Sequence, residues 1–155
     1  MNELRGRVAR TFCADPAATP VAEIRGHAST VLQRYQRGLD ERLVGHVLEV
    51  AALGPEDCLR AGSMSGVDTL LVGDGAAVPG VVCDESRWLA ATGEVCPVCG
   101  APTRHSPDVL DALAAAVIET GGSARQIAAD LMPDEYLVAA KLRFPPPPPG
   151  RTNGS

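Results

Sequence analysis

The stretch VDTLLV at residues 67–72, followed by GDG at residues 73–75, decides the fold of this 155-residue chain. It is a short run of apolar and β-branched residues bounded by glycines, a pattern typical of a strand covered on both faces. Downstream, Ser106 as N-cap, Pro107 in the first turn and Gly121 past the end predict a helix. Two further strands are predicted at residues 124–128 and 137–144.

The alternation of these strands with helices predicts the fold class. We expect an α/β protein, a layered sandwich with a mostly parallel sheet. A small cysteine-bearing insertion, residues 83–105, interrupts the α/β sandwich, and a helical segment precedes the sandwich in the chain. The predicted organisation is a weakly structured lead-in at 1–20, a helical segment at 21–50, the α/β domain at 51–145 and a disordered proline-rich tail at 146–155.

The N-terminal segment has helical periodicity. Apolar residues between Val21 and Leu39 recur at steps of three and four, which predicts an amphipathic helix. Gly38 is expected to end this helix, and Asp40 to cap a second one. The pair Gly54-Pro55 predicts the start of a third helix that continues to residue 64.

The composition and charge of the chain limit the classes of partner that we expect it to bind. Hydrophobic residues make up 45% of the chain, with five aromatic side chains, so the core is expected to be aliphatic. Residues 51–155 carry seven basic and thirteen acidic side chains, which argues against broad binding to phosphate backbones and excludes DNA as an expected partner. Because the sequence has neither a long apolar run nor a leader, a membrane partner is not expected and a cytoplasmic location is.

The sequence CPVCG at residues 96–100 is the sharpest chemical motif. Two cysteines three positions apart, followed by glycine, predict a zinc knuckle, in which a tight turn directs both thiolates at one ion. Cys83 is the expected third ligand. His105 is the preferred fourth ligand, with Asp84 next and Cys58 third.

Two other interpretations of the cysteines stay open. The Cys96–Cys99 pair would suit a redox dithiol if it began a helix, but Gly-Ala-Pro follows it. Free thiols without a metal are the second alternative. Catalytic zinc is not expected, because no H-E-x-x-H or H-x-E pairing supplies a general base. The expected cofactor is therefore one structural zinc ion.

Four segments in order, VDTLLV, CPVCG, PDVLDAL and ETGG, resemble a known domain. The chain is similar to the third domain of archaeal and eukaryotic class-one release factors and Pelota, and most similar to the bacterial Vms-like and Balon-like homologues. The resemblance implies an α/β sandwich that docks a translational GTPase or the factor-binding region of the ribosome. The implied partner is a ribosomal component or translation factor, with RNA contacted through the ribosome.

The resemblance also implies what the chain does not do. The family hydrolyses peptidyl-tRNA with a Gly-Gly-Gln loop, and this tripeptide does not occur in the sequence. The resemblance therefore implies a binding domain with no catalytic residues. Two alternatives stay open: a release factor, peptidyl-tRNA hydrolase or ribosome hibernation factor acting as part of a longer protein, and a kink-turn RNA-binding module. In bacterial relatives with this insertion a second C-x-x-C is expected, where this chain has Ser86.

Overall fold

The structure, a computed structural model, describes residues 12–15, 17–49, 51–133 and 135–144. The predicted tail at 146–155, and most of the predicted lead-in at 1–20, lie outside the described residues. Along the chain, the residues fall into two compact units divided between Leu43 and Val44.

The secondary structure alternates between helices and strands. The helices are α1 (Val21–Leu48), α2 (Pro55–Ser63) and α3 (Val109–Glu119). The strands are β1 (Ala51–Leu53), β2 (Val67–Gly73), β3 (Gly80–Val82), β4 (Leu89–Ala90), β5 (Arg104–Ser106), β6 (Ser123–Ile127) and β7 (Val138–Leu142). A 3₁₀ turn, Ala129–Leu131, follows β6.

The N-terminal segment is one helix, and the predicted break at Gly38 is wrong. α1 continues through Gly38, whose carbonyl accepts a hydrogen bond from Arg42 Nε at 3.1 Å. Asp40 lies inside the helix and accepts from Gln36 Nε2 at 3.1 Å, so it caps nothing. An isolated glycine costs a helix only about 1 kcal/mol, and it ends one when the backbone turns left-handed there. Gly38 does not adopt that conformation.

The main sheet has the strand order β1-β7-β2-β6. The predicted α/β class is confirmed, but the prediction of a mostly parallel sheet is wrong. Of the three strand pairings described in this sheet, β2–β6 is parallel, while β2–β7 and β1–β7 are antiparallel. Residues 128–137 join β6 to β7 without a crossover helix. For β7 to run parallel to β6, the chain would need a longer connection, usually one that contains a helix.

A second sheet supports the cysteine insertion. Its strand order is β4-β3-β5, and both pairings are antiparallel. β3 leads into Cys83 and β5 leads out at Arg104, so their pairing brings the two ends of the insertion together. In consequence, the first and last residues of the insertion lie next to each other where it connects to the α/β domain.

The third helix starts two residues later than predicted. Its N-cap is Asp108 in extended conformation, and the Asp108 carboxylate accepts from the Leu110 amide at 3.0 Å. Ser106, the predicted cap, ends β5 instead, and its hydroxyl donates to the Asp108 carbonyl at 2.9 Å. The predicted end is confirmed, because Gly121 follows the helix with φ +83°.

The core of this α/β unit is aliphatic, as composition predicts. α2 and α3 pack against each other and against the main sheet. Leu59, Leu110 and Leu113 of the two helices are almost fully buried. Leu70 and Leu71 both have zero exposure, and neighbouring strand residues point to opposite faces, so β2 is covered on both sides as predicted.

Among the described helices, none is long and apolar enough to cross a membrane.

Candidate metal centre

Cys96 and Cys99 lie in a tight turn at the tip of the insertion. Val95 bridges to Pro102 across this turn. The Cys96 amide donates to the Ala101 carbonyl at 2.8 Å, and the Gly100 amide donates back to the Cys96 carbonyl at 2.9 Å. Gly100 has φ +76°, a left-handed conformation that glycine adopts without steric cost. The predicted knuckle geometry is therefore present.

The segment from Cys83 to Trp88 forms a second turn of the same design. The Cys83 amide donates to the Trp88 carbonyl at 2.8 Å, and the Arg87 amide donates to the Cys83 carbonyl at 2.8 Å. Arg87 has φ +62°, although it is not a glycine. Both turns thus carry hydrogen bonds at the same sequence offsets and a left-handed residue four positions after the first cysteine.

The two turns bring three sulfur atoms together. The Sγ atoms of Cys83, Cys96 and Cys99 all lie within 4.8 Å of one another, and the Cys83–Cys99 pair is 3.5 Å apart. A tetrahedral zinc ion with Zn–S bonds of about 2.3 Å separates its sulfurs by about 3.8 Å. The three cysteines, two of them buried, fit the first three positions of such a site.

Backbone amides and a hydroxyl surround the sulfurs. The amides of Ser86 and Val98 donate to Cys83 Sγ and Cys96 Sγ respectively, both at 3.4 Å. Burial acts to raise the pKa of Cys96, but hydrogen bonds from the Ser86 hydroxyl and from backbone amides outweigh it, lowering the pKa to about 6. Hydrogen bonds from the side chain and amide of Ser86 also lower the pKa of Cys83. Because thiolates are what a metal binds, these contacts prepare the cluster for an ion.

Cys99 differs from the other two cysteines. The Ala101 amide acts to lower the pKa of Cys99, but the neighbouring thiol of Cys83 and burial outweigh it, so the pKa is raised. A metal that binds Cys99 would therefore have to displace a proton that is held more firmly than in an isolated cysteine.

The three residues considered for the fourth ligand lie elsewhere. His105 is on β5, paired with Val81 and exposed, and it does not join the sulfur cluster. The carboxylate of Asp84 accepts two hydrogen bonds from Arg104, at 3.0 and 3.2 Å, and this contact lowers the pKa of Asp84. Cys58 is in the main core, where its thiol contacts the Ala52 carbonyl at 3.6 Å. His105 as a ligand stays a prediction.

Ser86 also lies at the cluster, although its sequence context predicts no ligand role for it. Its Oγ lies 3.1 Å from Cys96 Sγ. The spacing from Cys83 to Ser86 equals that from Cys96 to Cys99, and this was the available signal. Beside the cluster, the half-buried Trp88 ring lies over Gly93, where an added Cβ would come within 3.1 Å of it. Trp88 therefore packs within the insertion.

The helix that a redox dithiol would need is also missing around this pair. Within the described residues, the Cys96–Cys99 turn is followed by residues 101–103 and then by β5, and the first helix after it is α3. A helix N-terminus is the usual means of activating such a pair. The geometry instead suits a metal, and the site would supply thiolate ligands to an ion such as zinc.

Comparison with solved structures confirms the resemblance at the level of fold. The C-terminal domain of a peptide chain release factor from Methanosarcina mazei matches with a TM-score of 0.58 at 16% identity. The match covers 86% of this chain and 98% of that one. This chain has the fold of a release-factor C-terminal domain. The likeness extends over nearly the whole length of that domain.

A second similar structure is Dom34 of Saccharomyces cerevisiae, described as a translation termination-like factor that interacts with Hbs1. It matches with a TM-score of 0.48 at 15% identity, over 77% of this chain and 31% of Dom34. No family model matches the chain. No curated protein matches it in sequence either.

Proposed function

We propose that this chain is a non-catalytic, translation-associated binding domain that docks a ribosomal component or a translation factor in the cytoplasm. The observation that carries the proposal is the structural match over 98% of a release-factor C-terminal domain. Fold alone does not specify activity, so the argument also needs the chemistry of the surface and of the site.

The charge distribution favours a protein partner. Residues 51–155, which contain the whole sheet, have six more acidic than basic side chains. A domain that binds RNA through its phosphates needs clustered Lys and Arg to release counterions. An acidic domain would instead be attracted to a basic protein surface, such as that of many ribosomal proteins.

The cysteine cluster supports a structural role for a metal. We propose that one zinc ion binds Cys83, Cys96 and Cys99 and joins the two turns of the insertion. The bound ion would hold the insertion in one shape, since the strands β3, β4 and β5 that support it contain only two or three residues each. Metal analysis of protein purified without chelator tests this directly. One zinc per chain is expected, and a value near zero would contradict it.

Docking is tested with purified ribosomes and purified translational GTPases. The protein is mixed with each, at moderate salt, and the ribosomes are pelleted through sucrose while the GTPases are tested by calorimetry. Binding to at least one of them at micromolar concentration or tighter is expected. Binding to neither would count against the proposal.

Two companion assays address the alternatives. Robust release of peptide from stalled ribosomes would favour a release factor or peptidyl-tRNA hydrolase over a docking domain. Tight binding to a kink-turn duplex that weakens steeply with salt would favour an RNA-binding module. We expect neither result, because the sequence holds no Gly-Gly-Gln tripeptide and the α/β unit is acidic.

A further inference from the structure

The two turns of the insertion correspond residue by residue. Cys83 corresponds to Cys96, because each amide donates to the carbonyl five positions later at 2.8 Å. Arg87 corresponds to Gly100, because each has a left-handed backbone and donates to the carbonyl four positions earlier. In this register, Ser86 takes the place that Cys99 has in the other turn.

We infer that the Ser86 hydroxyl occupies the fourth side of the metal site, so that the ion is held by three thiolates and one neutral oxygen. The inference deepens the proposed metal centre and rests on it. The contact of Ser86 Oγ with Cys96 Sγ at 3.1 Å places the oxygen at the cluster. A tetrahedral zinc with one oxygen and three sulfurs has O–S separations of about 3.5 Å, close to this distance.

The hydrogen bonds around Ser86 show why its oxygen points inward. Its backbone amide donates to Cys83 Sγ at 3.4 Å, which ties the residue to the first turn. The Trp88 amide donates to Ser86 Oγ at 3.4 Å. The oxygen thus lies between two groups, the Trp88 amide and Cys96 Sγ, which is 3.1 Å away.

The other candidates are engaged elsewhere. Asp84 holds Arg104 through both carboxylate oxygens. His105 is fixed in the β3–β5 ladder opposite Val81 and is exposed. Neither belongs to the group of ligand atoms within 4.8 Å. Ser86 is therefore the polar side chain that the fold directs at the open position.

This ligand set has a chemical consequence. Four thiolates around Zn²⁺ would leave the site with two negative charges, whereas three thiolates and a hydroxyl leave one. A neutral hydroxyl is also a weaker ligand than a thiolate, so the ion should bind less tightly and exchange faster than in a site with four cysteines.

The test is cobalt(II) substitution of the full chain, in the natural protein and in the variants Ser86→Cys, Ser86→Ala and His105→Ala. Cobalt absorption reports the geometry and the number of thiolate ligands, and circular dichroism shows whether each variant folds. In Ser86→Cys, the sulfur-to-cobalt charge-transfer band should rise by about a third, as a fourth thiolate joins three, and metal transfer to a chelator should slow by about tenfold or more.

The remaining variants separate the candidate ligands. Ser86→Ala should lower metal affinity by about tenfold and shift the d–d bands, while His105→Ala should leave both unchanged. A loss of affinity in His105→Ala but not in Ser86→Ala would overturn the inference, as would an unchanged charge-transfer band in folded Ser86→Cys. If the natural protein bound neither zinc nor cobalt, the metal centre itself would be refuted together with its fourth ligand.

Discussion

The Asp108 carboxylate accepts a hydrogen bond from the backbone amide of Val78 at 3.2 Å, across thirty positions of sequence. The same oxygen accepts from the Leu110 amide and so caps α3. The Val109 amide donates in return to the Val78 carbonyl at 2.7 Å. This one side chain therefore joins the start of α3 to the segment that leads from β2 into β3.

Replacing Asp108 by alanine should destabilise the protein by about 1–2 kcal/mol, because the helix loses its cap and the Val78 amide loses its acceptor. The measurement is the free energy of unfolding in urea. Asp111→Ala is the matched control: it removes the same charge from the same turn, but only a helix-dipole contribution of about 0.3–1 kcal/mol. Equal losses in the two variants would show that Asp108 acts through its charge alone.

Gly62 allows α2 and α3 to approach closely. A Cβ added at Gly62 would lie 2.1 Å from Cδ1 of Leu113, a side chain with zero exposure. Gly62→Ala should therefore destabilise the protein by about 1–3 kcal/mol through overpacking. In the control Gly45→Ala, the new methyl meets nothing within 4 Å on an exposed helix position, so a gain of about 0.5–1 kcal/mol is expected. Thermal unfolding of both variants checks the opposite signs.

Arg143 joins the last strand to the end of α3. Its Nε donates to the Val67 carbonyl at 3.1 Å, and its terminal nitrogen donates to the Thr120 carbonyl at 2.7 Å. Arg143→Ala should cost about 1 kcal/mol, since a cation near a helix C-terminus also interacts favourably with the dipole. Arg60→Ala, which removes only an exposed ion pair with Asp57, should change stability by less than about 0.5 kcal/mol. No difference between the two variants would contradict this role.

Cys58 should be chemically inert in the folded protein. Its side chain has zero exposure, and burial, with a smaller contribution from Asp57, raises the pKa of its thiol to about 12. At pH 8, an aromatic disulfide reagent should modify the exposed Cys13 quickly and Cys58 only after unfolding. Peptide mapping after a short reaction checks this. Rapid labelling of Cys58 would show that the core opens on that timescale.

The same thiol predicts a pH dependence. Because the pKa of Cys58 is about 12 in the folded protein against 9.0 for an ordinary cysteine, the unfolded chain releases this proton first as pH rises. The protonated Cys58 thiol therefore makes its full contribution to the free energy of unfolding below about pH 9, and this contribution declines as pH rises toward 12. Unfolding measured from pH 8 to 11 should show a steeper decline for the natural protein than for Cys58→Ala, and parallel curves would refute the assignment.

Removing the proposed zinc should loosen the insertion but leave the α/β unit folded. The core side chains of α2, α3 and β2 lie outside the cysteine cluster, so their packing does not depend on an ion. After treatment with a chelator, limited proteolysis should cut within residues 84–103 while the circular dichroism spectrum stays nearly unchanged. Loss of all helical signal would instead show that the metal holds the entire fold.

Local patterns predicted much of this fold. The apolar run at β2, the Gly54-Pro55 start of α2 and the glycines after α3 were all interpreted correctly, because each depends on neighbouring residues. The tight turn at Cys96 and Cys99 is also predicted by their spacing, while zinc binding there stays a prediction. β1 was missed, since its three residues carry too little periodicity to identify a strand.

The cap of α3 and the fourth side of the cysteine cluster show where prediction from local patterns stopped. Ser106 and Asp108 are both good N-cap residues, and the choice between them depended on Val78 and on the pairing of β5. Similarly, Ser86 reaches the cysteines only because β3 and β5 bring the two turns together.

The sequence by itself determined the element types, the aliphatic core and the pairing of cysteines within one turn, because backbone propensity and burial periodicity act over a few neighbouring residues. The tertiary structure decided the direction of β7, the capping of α3 by Asp108 and the approach of Ser86 to Cys96. Those outcomes depend on hydrogen bonds and packing between residues far apart in the chain, whose free energies no local pattern encodes.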